Sequence, residues 1–189
     1  MGCTSNGATP STQYALVSYL PDPLGLFLDR LRLEMDSGCK PHAHVTILPP
    51  RPITGKQSVA AEELERGTRD FVSFEVHLGE IAIFKDSDVI YLGIKAGWDE
   101  LRHMYQALNH GAVTFQEPYP YHPHITLAQN IDHAQVKPLG EMARRRWAEY
   151  RGPRSFWVEE LAFVRNNPGC EWIDLANISL PKPVECLAP

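Results

Sequence analysis

The chain has 189 residues, 43% of them apolar and 22% charged, enough for one compact domain or for two small lobes sharing a core. Its formal net charge of −5 argues against a protein that grips a long nucleic-acid duplex, because such proteins present a basic surface. A small nucleotide or an RNA end needs only a local positive pocket and remains open as a substrate.

Residues 1–12 read as a loose polar tail, followed by a single domain over 13–189. No apolar run approaches the ~20 residues of a membrane span. The opening residues also lack the basic-then-apolar pattern of a secretory signal. A cytoplasmic monomer with no membrane partner is the expectation. Cys3, Cys39, Cys170 and Cys186 form no CxxC pair and read as free thiols.

In chain order, Tyr14–Leu20 reads as a strand ended by Pro21. A helix near 23–36 follows, its stripe formed by Leu24, Phe27, Leu28, Leu31 and Met35, with Gly38 as its stop. His42-Ala43-His44-Val45-Thr46-Ile47 then begins a strand. A helix near 57–70 leads to a strand region, Phe71–Phe84, in which Val72, Phe74, Val76 and Leu78 alternate. After a polar turn at Lys85–Asp88, Val89–Lys95 reads as a strand with Ile90, Leu92 and Ile94 on one face. A helix near 98–110 carries Leu101, Met104, Tyr105 and Leu108, and Gly111 follows it. His122-Pro123-His124-Ile125-Thr126-Leu127 begins the next strand. A helix near 133–150 and strands near 156–165 and 171–180 complete the chain.

The order strand, helix, His-x-Thr strand, helix, strand thus occurs twice, in halves at about 13–85 and 88–180. The two His-x-Thr triplets stand 80 residues apart. A duplicated α+β unit accounts for this, with the break near Lys85–Asp88. Side chains alternate along a strand, so His44 and Thr46 share one face while Val45 and Ile47 share the other. His124 and Thr126 repeat the arrangement against Ile125 and Leu127. If a pseudo-twofold axis relates the halves, both polar pairs converge on one cleft.

Two histidines and two threonines suit a phosphodiester. Histidine titrates near neutrality, so one ring can act as base while the other acts as acid. A threonine hydroxyl can donate to a non-bridging phosphoryl oxygen where charge must be stabilised. No metal or other cofactor is needed. The near symmetry leaves open which histidine is the acid.

His44-Val45-Thr46-Ile47 and His124-Ile125-Thr126-Leu127 resemble the paired HxTx motifs of the 2H phosphoesterase superfamily, which includes 2′-5′ RNA ligase-like proteins and cyclic phosphodiesterases. The resemblance implies a bilobal fold, with two antiparallel sheets lining a central cleft and helices outside. It implies His44 and His124 as acid and base and Thr46 and Thr126 as phosphate ligands. It also implies hydrolysis or ligation at cyclic or 2′-linked phosphates of nucleotides or RNA ends. His42 and His122, two positions before each motif, depart from the pattern; rim or capping positions are the default for them.

Two other readings fit the residues. His42/His44 and His122/His124 have the spacing of metal ligands on a strand, so four imidazoles could hold zinc, although the threonines would then have no purpose. A binding protein could also keep the cleft for a phosphorylated ligand without catalysing anything. Arg144, Arg145 and Arg146, with Arg151 and Arg154, form the one basic cluster, and interleaved Glu141 and Glu149 favour a solvated helix face. Phe84, Tyr119 and Tyr121 could stack on a base, with packing as the default.

Overall fold

The computed structural model describes residues 12–38, 42–166 and 172–183. The four cysteines and residues 1–11 of the expected tail lie outside the described residues. The elements run β1 (Tyr14–Tyr19), α1 (Leu24–Met35), β2 (His44–Arg51), α2 (Gln57–Gly67), β3 (Phe74–Phe84), β4 (Val89–Ala96), α3 (Trp98–Leu108), β5 (His124–Ala128), α4 (His133–Glu149), β6 (Ser155–Val158), β7 (Glu160–Asn166) and β8 (Trp172–Ser179).

Local chemistry accounts for most of these elements. Leu24, Leu28, Leu31 and Met35 bury one stripe of α1, and Leu101, Met104 and Leu108 do so for α3. Each such leucine, fully buried, contributes roughly 1.5–3 kcal/mol relative to exposure. Asp132 caps α4 by accepting the Ala134 N–H at 2.9 Å. Gly97 joins β4 to α3 at φ 86°, and a Cβ there would stand 2.8 Å from the Glu75 carbonyl oxygen. Only glycine satisfies both demands.

The strands form two antiparallel four-stranded sheets, β2-β1-β7-β8 and β5-β4-β3-β6. The fold is α+β, and the two sheets have equivalent orders: His-x-Thr strand at the edge, then the strand that opens its half. The third place is exchanged. β3, from the first half of the sequence, pairs with β4, and β7, from the second half, pairs with β1. The halves 13–85 and 88–180 therefore do not coincide with the two sheets. The polar turn expected as the break is the tip of the β3–β4 hairpin, inside one sheet.

A second correction concerns the strand expected at 156–165. It is two strands in different sheets, parted at Glu159, whose carbonyl accepts the Leu180 N–H. The burial phase explains the split. Phe156 and Val158 are buried between exposed or half-buried neighbours, whereas Leu161–Val164 are buried on both faces. Val72, expected in the alternating strand region 71–84, precedes β3 and is 47% exposed.

One continuous core runs behind both sheets and includes Leu16, Val45, Ile47, Leu92, Ile125, Leu127 and Phe163. The helices cross over: α1 packs against β5 and α3 against β2, while β2 and β5 lie side by side. Ala15, Val17, Ala162 and Val164 form a separate small cluster beneath Tyr19 on the opposite face of the first sheet. Among the described residues no helix is long and apolar enough to cross a membrane.

Candidate active site

The two motifs fold alike residue by residue. Positions 42–48 and 122–128 share one burial sequence: exposed, buried, half-buried, buried, half-buried, buried, buried. Val45, Ile47, Ile125 and Leu127 enter the core, so His44, Thr46, His124 and Thr126 occupy the opposite faces of their strands. Because β2 and β5 are neighbours, the two polar pairs come together across the junction of the sheets.

Each catalytic candidate is oriented by the residue two before it. His44 Nδ1 donates to the His42 carbonyl oxygen at 2.7 Å, and His124 Nδ1 donates to the His122 carbonyl oxygen at 2.7 Å. A carbonyl only accepts, so both Nδ1 atoms carry the proton and both Nε2 atoms are left for chemistry. Neither threonine hydroxyl has a hydrogen-bond partner among the described residues.

Burial lowers the pKa of His44 from 6.5 to about 4, against the bond to His42, which raises it; the charges of Arg32, His42 and His124 lower it further. The two imidazoles are thus close enough to feel each other's charge. Burial also lowers His124, opposed by its bond to His122 and assisted by the His122 charge.

The surroundings differ. The His42 ring lies on Tyr19, with centroids 3.6 Å apart, and the Tyr19 hydroxyl donates to Asp174 at 2.7 Å. Burial, followed by Asp174, pushes the Tyr19 pKa up. On the other side Phe84 stacks on Tyr91 at 4.0 Å, and both meet His122 and His124 edge-on. The extra histidines are therefore turned onto aromatic rings. Among the described residues no three His, Cys, Asp or Glu side chains gather as metal ligands.

A network that the sequence did not reveal ties the two motif strands together. Arg51, at the end of β2, is 1% exposed. It donates to the Pro49 and Val113 carbonyls, to Asn109 at 2.7 Å and to Glu117 at 2.5 Å. Burial lowers the Arg51 pKa and raises that of Glu117, and the opposite charge of the partner works against each shift. Four residues beyond Glu117, the Tyr121 hydroxyl donates to the Thr46 carbonyl at 2.7 Å. The ladder explains why that carbonyl is free: the Leu20 N–H bonds Ala43, the 18/45 pair comes next, and Thr46 then points to the open edge. Strand 46–51, the ion pair, chain 117–121 and the Tyr121 bond close a ring between the motifs. A cue existed in Arg51, a charge ending an apolar strand, but its partners other than Pro49 lie 58 to 66 positions away.

Other expected contributors are placed elsewhere. Arg144 donates to the Ile81 carbonyl, Arg146 pairs with Glu34 at 3.0 Å, and Arg154 lies over Trp147 at 4.5 Å. Tyr121 stacks on Tyr105, whereas Tyr119 is 70% exposed. A cavity of about 310 Å³ between α1 and α4 and another of about 620 Å³ along 105–121 both exclude the His-x-Thr pairs.

Solved structures of the same fold include E. coli LigT complexed with phosphate, 16% identical over 90% of this chain and 98% of that one, with a TM-score of 0.63. Thermus thermophilus TT0787 is 18% identical over 90% and 98% of the two chains, with a TM-score of 0.62. Kluyveromyces marxianus Usb1 with uridine monophosphate is 13% identical over 92% and 100%, with a TM-score of 0.54. No curated protein matches the sequence. The 2′-5′ RNA ligase superfamily matches residues 20–169, which include both His-x-Thr motifs and every strand except β1 and β8, and the chain belongs to that superfamily, the 2H phosphoesterases.

Proposed function

We propose that this protein hydrolyses cyclic or 2′-linked phosphodiesters of nucleotides or RNA ends, without a metal, using His44 and His124 as its acid–base pair. The observation that carries the reading is the shared Nδ1–carbonyl bond, which gives both rings the same tautomer and leaves both Nε2 atoms available. The neutral Nε2 of one histidine takes a proton from water as the water oxygen bonds to phosphorus. The P–O bond to the ribose oxygen breaks, and Nε2–H of the other histidine protonates that leaving oxygen. His44, the more strongly depressed, acts as the base and His124 as the acid. Thr46 and Thr126 donate to the two non-bridging oxygens. With the 5′-hydroxyl of a second RNA end in place of water, the base takes its proton as its oxygen bonds to the phosphorus of the cyclic phosphate. The P–O3′ bond breaks and the acid protonates O3′, which leaves a 2′-5′ linkage, so ligation needs no further residue.

Small nucleotides are favoured as substrates by the neighbours' own ligands: LigT has been solved with 3′-AMP and with ATP, and Usb1 with uridine monophosphate. The test is turnover of a 2′,3′-cyclic nucleotide in EDTA by wild type, His44→Ala and His124→Ala. The expected result is activity that survives EDTA and falls by about 10²–10⁴ or more in each variant. Activity abolished by EDTA would overturn the mechanism. Binding of the cyclic nucleotide with no turnover would favour the non-catalytic reading.

A further inference from the structure

The bond that fixes the His44 ring ends on a residue whose own side chain is braced from across the sheet. Tyr19, the last residue of β1, is the pairing partner of His44 on β2. Its ring lies on the His42 imidazole, with centroids 3.6 Å apart and planes 21° from parallel, and meets His44 edge-on at 6.3 Å. It rests on Ala15, Val17, Ala162 and Val164, the small residues of that sheet face. Over this low floor the hydroxyl reaches past β7 to Asp174 on β8 and donates at 2.7 Å, the length of a charge-assisted bond.

His42 is where such a brace acts on the chemistry. It stands exposed just before β2, outside the β1–β2 register, and its carbonyl oxygen is the acceptor for His44 Nδ1–H at 2.7 Å. Holding its ring against Tyr19 restricts its backbone, and with it the direction of that carbonyl. The second motif has no such brace. Gly93 is the partner of His124 there, so no side chain stands in the place of Tyr19, and His122 meets Phe84 and Tyr91 edge-on.

We propose that Tyr19, tied to Asp174, is a positioning residue for His44: it holds His42 so that the carbonyl keeps the proton on His44 Nδ1 and leaves Nε2 unprotonated. This rests on the phosphodiester reading above, in which His44 is the base. A neutral imidazole released from its acceptor shares its proton between the two nitrogens, and the Nε2–H form cannot take a proton at Nε2. Molecules in that form still bind substrate through Thr46 and Thr126, so the loss falls on kcat and spares KM.

The test is NMR of the imidazole nitrogens in the free protein at neutral pH, well above the His44 pKa of about 4, together with kinetics on a 2′,3′-cyclic nucleotide. Wild type is expected to show Nδ1–H at both His44 and His124. Tyr19→Leu and His42→Ala should each move His44 toward a mixture of tautomers while His124, in the same spectrum, keeps Nδ1–H. Each should lower kcat by roughly three- to tenfold, with KM within about twofold of wild type. Tyr19→Phe, which keeps the stack and loses Asp174, should fall between these and wild type. Because Tyr19 and His42 act through one stack, the double variant Tyr19→Leu/His42→Ala should lose no more than either single one. His44 still in the Nδ1–H form in Tyr19→Leu, losses that multiply in the double variant, or an equal change at His124 would overturn the proposal. If wild type turns over no cyclic nucleotide, the phosphoesterase reading fails, and the His44 tautomer in Tyr19→Leu still decides the positioning role.

Discussion

At the first motif His42 lies flat on Tyr19, whose hydroxyl is held by Asp174; at the second, His122 and His124 meet the Phe84–Tyr91 stack edge-on. Backbone, burial sequence and the Nδ1–carbonyl bond are nonetheless the same on both sides. The two motifs keep the groups proposed for the reaction while their environments differ. That is the arrangement an acid–base pair needs: two identical rings can take different roles only if their surroundings part their proton affinities.

Three experiments would break or sharpen this comparison. The largest effect is expected from the shared part. Thr46→Val and Thr126→Val each remove one donor while keeping side-chain shape, and each should lower kcat by about 10². Kinetics of the two variants side by side check this; a silent variant would mean that the phosphate is held from one side only.

The next effect comes from the divergent part. In the free protein both imidazoles sit below 6.5, His44 near 4. The competent form carries one proton on the pair, so kcat/KM should peak between those limits. It should then fall about tenfold per pH unit on the alkaline side as His124 loses its proton. Below about pH 4 it should fall as His44 gains one. Bound phosphodiester is anionic and stabilises both cations, so the kcat profile should lie at higher pH than the kcat/KM profile. Measured profiles that coincide, or a kcat/KM that stays level from pH 5 to 8, would contradict the assignment.

The smallest effect tests the one-sided tie. Tyr121→Phe removes the partner of the Thr46 carbonyl, and among the described residues no equivalent bond reaches Thr126. A kcat several-fold to about tenfold lower is expected from the looser strand, with about 1 kcal/mol lost in a urea titration. Arg51→Ala would be less informative, since it also removes the ion partner of half-buried Glu117 and the bonds to Asn109 and Val113. A Tyr121→Phe protein that is destabilised but fully active when folded would show that the bond serves folding alone.

The sequence by itself determined the local structure and the site candidates. Helix stripes, strand alternation and glycine stops depend on neighbours three or four positions apart, so their signals are local. The paired His-x-Thr strands were legible for the same reason, helped by duplication, which presents one pattern twice. Only the tertiary structure decided the rest. The exchange of β3 and β7 between sheets, the break at Glu159, and the turning of His42 and His122 onto aromatic rings all depend on long-range contacts. So do the Arg51–Glu117 link and the Tyr121–Thr46 bond, which join residues 66 and 75 positions apart. No periodicity encodes a partner at such a separation; it is chosen by which surfaces meet when two similar halves bury their apolar faces in one core.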